Sequence, residues 1–168
     1  MENKEIKAEL KKVEESKQDN NYKTAYEMKK EDISVLPIMK CTMIKTTNKK
    51  TSLKNYTFVG FVHGIELRDK KFNSDKFTIA LLEKKTSMED IDKLTTVDLN
   101  CRYRPVKGQR KDNGEWFYGV DIFVSKSYRP RVFFNDIQLR TLQLQNINLN
   151  YIEVEIEEDL DSFDEDFE

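Results

Sequence analysis

Cations and aromatic rings lie side by side at two places in this chain. In the first, Lys45, Lys49, Lys50 and Lys54 lead into Tyr56 and Phe58. In the second, Arg102 and Arg104 lead into Lys107, Arg110 and Lys111, and these into Trp116, Phe117 and Tyr118. Mobile cations neutralise phosphates, and an exposed ring stacks on any base, so the combination suits a single-stranded nucleic acid. Lysine-rich stretches can also serve only to keep a chain in solution, and most aromatics belong to cores. The expectation is therefore that the cations line a groove and that one or two of Tyr56, Phe58, Trp116 and Tyr118 stack on bases.

Charge is distributed very unevenly. The formal net charge is −2, yet Glu153–Glu168 carries ten acidic residues and no Lys or Arg. Ile33–Ile152 holds 21 basic against 12 acidic residues, a surplus of nine positive charges. A basic body joined to an acidic end points to a polyanionic partner. The acidic end is punctuated by Leu160, Phe163 and Phe167. Aromatics spaced within acid suit a segment that docks into a basic, apolar-floored pocket of another protein.

Catalytic signatures are scarce. His63 is the only histidine, and it sits within an apolar run where a structural role is expected. Neither GxSxG, a P-loop nor HExxH occurs. One nuclease-like pattern is present: Asp75, then Glu83-Lys84-Lys85 after an apolar run, which could hold Mg²⁺ if the run were a strand. Glu-x-Lys is common by chance. The expectation is a binding protein rather than an enzyme, with no cofactor and no metal. Cys41 and Cys101 lie in no CxxC pair, which fits two small buried residues in a reducing cytoplasm. No stretch is apolar enough to span a bilayer.

The elements that must position these residues are mostly strands. Residues 1–32 read as a polar arm or frayed helix, 33–152 as one binding domain, and 153–168 as a disordered acidic tail. Leu36–Thr46 predicts a first strand and Tyr56–Leu67 a long second one, with Val59, Phe61, Ile65 and Leu67 on the core side. Phe77, Ile79 and Leu81 alternate as a third. Ser87–Leu94 predicts a short helix with Ser87 as N-cap. Val97–Tyr103 predicts a fourth strand, Pro105–Glu115 a basic loop ending in the hairpin signal Asn113-Gly114, and Trp116–Val124 a fifth strand. Arg131–Gln143 predicts a sixth. The pentad repeat from Ile137 to Ile156 is too short to stack as a solenoid and reads as broken strand.

Three strands, a short helix and two or three further strands follow the order of an OB-fold barrel of five to six strands. In that fold the connections between strands 1 and 2 and between strands 4 and 5 flank the ligand face, and these are the two basic segments. With its acidic, aromatic-bearing C-terminus, the chain resembles the bacterial and phage single-stranded-DNA-binding proteins. It ends Phe167-Glu168, where that family ends on the aromatic itself. The resemblance implies sequence-tolerant binding of single-stranded DNA in replication or recombination, in the cytoplasm of a bacterial cell. It also implies recruitment of replication or repair proteins through Phe163 and Phe167, and a body that can form a homo-oligomer. The competing readings are a phage or mobile-element inhibitor that binds a host protein, and the Mg²⁺-dependent nuclease.

Overall fold

Met39, Cys41 and Met43 are buried while Ile38, Lys40 and Thr46 are exposed, the two-residue period of a strand covered on one side. In the computed structural model, which describes residues 28–156, this strand is the centre of a seven-stranded sheet. The elements in chain order are α1 (Lys30–Ser34), β1 (Ile38–Thr47), β2 (Lys54–Val62), β3 (Ile65–Asp69), α2 (Ser74–Glu83), α3 (Met88–Lys93), β4 (Thr96–Gln109), β5 (Trp116–Phe123), β6 (Arg131–Phe133), α4 (Asp136–Leu144) and β7 (Ile152–Glu153). The sheet order is β3-β2-β1-β4-β5-β6, antiparallel throughout, and β7 adds to β4 in parallel. The sheet curls until β3 and β6 approach each other, giving a nearly closed, OB-like barrel with helix between β3 and β4. Tyr128 Oη donates to Asp69 Oδ2 at 2.7 Å, and Gln138 Nε2 to the Glu66 carbonyl at 2.7 Å, across that seam.

The second predicted strand is in fact a hairpin. His63 and Gly64 have φ of 50° and 80°, the left-handed pair of a type I′ turn, and Val62 faces Ile65 across it. His63 is thus an exposed turn residue rather than a mid-strand one. Val62 and Ile65 are three residues apart yet paired, so they share a face; with Ile65 and Leu67 inward, Phe58, Gly60 and Val62 are inward on β2 and Phe61 points outward, while Val59, of the outer parity, is buried as well. Gly60 is required because a Cβ there would lie 2.2 Å from Met39 Cε.

The third predicted strand is α2. Phe77, Ala80 and Leu81 are its buried residues, at helical spacing, and Ile79 is exposed. Asn73 caps it, accepting from the Lys76 amide at 3.1 Å. The predicted helix after Ser87 is present as α3, with Ser87 Oγ accepting from the Asp90 amide at 3.2 Å.

β4 runs on through Pro105 to Gln109, so the basic connection shrinks to residues 110–115. The Tyr103 amide donates to Pro37, and the Lys107 carbonyl accepts from Val154. Pro105, between them, faces the junction where β1 ends and β7 begins, where a missing donor does little harm. The sixth strand is only Arg131–Phe133. Asn135 and Gln138 then form a capping box that starts α4, so the pentad repeat begins as a helix and not as strand. Glu153–Ile156 belong to the body as well, since Val154 is buried and Ile156 lies over Gly108.

The main core is built from Met43, Phe58, Val62, Leu67, Phe77, Leu81, Val120 and Ile122, with Phe58, Phe72 and Tyr128 in mutual ring contact.

Candidate nucleic-acid interface

Register and burial together define the outer face of β1, β2 and β3. One row across it reads Glu66, Phe61, Lys40 and Asn100, on β3, β2, β1 and β4. The next reads Arg68, Val59, Thr42 and Asp98, with Thr42 Oγ1 donating to Asp98 at 2.9 Å. Phe61 is 42% exposed and Ile38, one pair further along β1 and beside Arg102, is 55% exposed. An exposed aromatic ring on a sheet, with a lysine on the paired strand, has the chemistry that base stacking uses. Arg68 is ion-paired with Glu66 at 3.3 Å, which leaves Lys40 as the cation next to the ring.

Two basic loops lie at the ends of these strands. The Asn48–Leu53 loop hangs from the Thr47 end of β1, beside the face, and the Arg110–Glu115 loop hangs from the far end of β4, past the Arg102–Ile38 pair. Lys49, Lys50 and Lys54 are exposed at the first, and the Asn48 side chain fixes that turn by accepting from the Lys50 amide at 2.9 Å. At the second, Lys111 is exposed, while Arg110 binds Asp112 through Nε at 3.0 Å and Nη2 at 2.7 Å. That pairing holds the Asp112 carboxyl below its ordinary range. Trp116, 39% exposed, closes the hairpin, with Lys107 Nζ 5.5 Å from its ring centroid.

Several predicted contacts are occupied elsewhere. Lys45 is buried on the core side of β1, and its Nζ donates to the carbonyls of Ile91 and Asp92 at 3.2 and 3.1 Å, where it caps the C-terminal end of α3. Phe58 is wholly buried, and Tyr56 is half-buried against Phe77. Tyr118 packs edge-on to Tyr151 at 5.0 Å. Arg102 donates to the Leu36 carbonyl and is half-buried. Arg104 is 2% exposed and donates to Asp121 at 2.6 Å. Of the thirteen predicted contacts, Lys49, Lys50, Lys54, Lys111 and Trp116 are well exposed, and Lys107 and Arg110 partly so. Phe61, Lys40 and Ile38 are the members that sequence reasoning missed. Phe163 and Phe167 lie outside the described residues.

The outer face of β4, β5 and β6 is covered instead. Asp121, fully buried, accepts from Arg104 Nη2 at 2.6 Å and from Arg131 Nε and Nη2 at 2.6 and 3.1 Å. Val106, Phe133 and Val154 form a small apolar cluster beside this triad, and Arg131 Nη1 also holds the Glu155 carbonyl.

The nuclease pattern is not assembled. Asp75 and Glu83 lie at opposite ends of α2, which is a helix and not a strand. Glu83 binds the amide and hydroxyl of Ser127. Desolvation works against its charge, but hydrogen bonds from Ser125 and Ser127 outweigh that and hold its carboxyl below the ordinary range. Among the described residues no group of three His, Cys, Asp or Glu is placed to hold a metal ion, and no helix is long and apolar enough to cross a membrane. Cys41 and Cys101 are both buried as free thiols, and the neighbouring Cys101 together with burial pushes the Cys41 thiol up.

Comparison with protein-family models, with curated proteins and with solved structures finds no match. The class that the structure defines is one of architecture: an OB-like barrel with Ile38, Lys40 and Phe61 exposed on the outer face of β1 and β2.

Proposed function

We propose that this chain binds single-stranded DNA, with little sequence preference, across the outer face of β1 and β2. The observation that carries the reading is Phe61. Its ring is 42% exposed, Ile38 close by on β1 is 55% exposed, and Lys40 is its partner across the strands, so one spot offers both an apolar surface for a base and a cation for a phosphate. Lys40 on the face and Lys49, Lys50 and Lys54 at the adjoining loop supply the counter-charge for a phosphodiester backbone. Stacking on a ring and charge neutralisation are both indifferent to base identity, hence the weak sequence preference. Through its likeness to the single-stranded-DNA-binding family, the acidic C-terminal segment takes the role of recruiting replication or repair proteins in a bacterial cytoplasm.

The test is oligothymidine binding by fluorescence anisotropy at two salt concentrations. Affinity should fall as salt rises, because bound lysines displace condensed counterions. Phe61→Ala should weaken binding by about 1–3 kcal/mol while the fold keeps its stability. Phe58→Ala, in the core, should instead destabilise the fold by about 3–5 kcal/mol. Absence of binding at low salt, or unchanged affinity in Phe61→Ala, overturns the reading.

A further inference from the structure

The hairpin between β4 and β5 carries a side-chain amide placed to react. Asn113-Gly114 is the only Asn-Gly pair in the chain, and every residue from Lys111 to Trp116 is exposed. The turn fixes the Asn113 side chain. Its Oδ1 accepts from the Glu115 amide at 2.9 Å, an Asx-turn that folds the side chain toward the peptide bonds that follow it. Its Nδ2 lies 3.5 Å from Glu115 Oε2, so oxygen and nitrogen each face a distinct partner.

A peptide nitrogen that follows asparagine can close a cyclic imide on the Asn Cγ. The N–Cγ bond forms as the nitrogen gives its proton to a solvent base, the Cγ–Nδ2 bond breaks, and Nδ2 takes a proton from water and leaves as ammonia. Water then opens the imide at one carbonyl or the other, giving aspartate or isoaspartate. Negative charge develops on Oδ1 during the attack, and the Glu115 amide already points at that oxygen. Gly114 has no side chain to shield the nitrogen, and its φ is 72°, a conformation that suits glycine. One bond opposes the step. The Gly114 amide donates to the Arg110 carbonyl at 2.9 Å and must be released first. That bond lies at the exposed tip of a hairpin, where local opening costs least.

The other asparagines with fixed side chains supply a comparison. Asn48 makes the same turn, with Oδ1 accepting from the Lys50 amide at 2.9 Å, but a lysine follows it and shields the nitrogen. Asn73 and Asn135 commit Oδ1 to the caps of α2 and α4.

We propose that Asn113 is a site of spontaneous deamidation in the folded protein. Arg110 and Lys111 balance Asp112 and Glu115 in the native loop, so either product turns the tip acidic beside Lys107 and Trp116. Isoaspartate also inserts a methylene into the main chain, which disturbs the bond from the Arg110 amide to the Glu115 carbonyl. Residues 110–115 lie outside the main core, so the barrel persists. The proposal does not rest on DNA binding.

The experiment is incubation of the full chain at alkaline and at mildly acidic pH, followed by peptide mapping with mass spectrometry. The expected result is conversion of amide to acid at Asn113, faster at alkaline pH, as a mixture of aspartate and isoaspartate. The intact folded chain should shift toward the anionic side on ion exchange, and Asn48 should remain an amide. Gly114→Asn, a residue that tolerates a positive φ, should slow conversion of Asn113 by about tenfold or more. A folded chain that keeps Asn113 intact overturns the proposal, and conversion in urea alone would mean that the Arg110 bond locks the nitrogen. Equal conversion of Asn48 and Asn113, or of Gly114→Asn and wild type, overturns it as well.

Discussion

Replacing Asp121 with asparagine keeps the side chain's shape and removes its charge. The carboxylate is fully buried and accepts three hydrogen bonds, one from Arg104 and two from Arg131. Arg131 is 25% exposed and can turn toward water. Arg104 is 2% exposed, and its Nε already lacks a partner, so in the variant its guanidinium is a buried cation without a counter-charge. Breaking one side of a buried ion pair costs about 3–5 kcal/mol. The amide oxygen still accepts one bond, which places the expected loss near the lower end, about 3 kcal/mol. With a urea m-value of about 2 kcal/mol per M, the unfolding midpoint should fall by roughly 1.5 M. Adding Arg104→Met to Asp121→Asn should recover much of that loss, because an apolar side chain of similar length needs no partner in this site. A loss under about 1 kcal/mol in Asp121→Asn, or no recovery in the double variant, would falsify the view that charge pairing holds this triad together.

The remaining expectations are more local. Gly119→Ala should separate β6 from β5, because the new Cβ would lie 2.2 Å from the Val132 carbonyl oxygen and no side chain can yield there; a midpoint within error of wild type in urea would refute the register. Glu83 has a lowered folded-state pKa, so its contribution to stability is present above its ordinary value of 4.5 and is lost as pH falls through the folded value. The stability difference between wild type and Glu83→Ala should accordingly be present at pH 7 and fade in acid; a difference that grows on acidification would reverse the assignment. Deleting residues 157–168 should raise oligothymidine affinity, most at low salt, by removing a tethered polyanion that competes for the lysines. Lowered affinity, or a melted domain, would make that segment part of the binding body.

Much of the barrel is legible in the sequence because its signals are local. The alternation in β1, the Ser87 cap and the Asn113-Gly114 turn each specify their element within a few residues. The β2–β3 hairpin is hidden, since His63-Gly64 interrupts a run that reads as one continuous strand. Missing a two-residue turn inverts the inferred faces, and so Phe58 and Phe61 exchange roles. For α2, the triplets 77/79/81 and 77/80/81 are both apolar, and alternation competes with helical spacing; the Asn73 cap decides it. For α4, the Asn135–Gln138 box is visible in the sequence but is masked by the alternation Ile137, Leu139. Lys45 is a different case. Its burial depends on α3 carbonyls 46 residues away in sequence, and no local signal carries that information.

β7 is only two residues long, yet it changes what kind of failure the molecule is open to. A sheet edge with unpaired amides and carbonyls is a template on which other chains can add strands. Here the β3–β6 seam is bridged by Tyr128, Asp69 and Gln138, and the part of β4 that β1 does not reach is paired by Ile152, Glu153 and the Val154 amide. Proteolytic cleavage just before Ile152 would strip that stretch while leaving the residues of the main core in place. The product would keep its circular dichroism spectrum and lose its solubility, so aggregation would set in from the folded state, well before any unfolding.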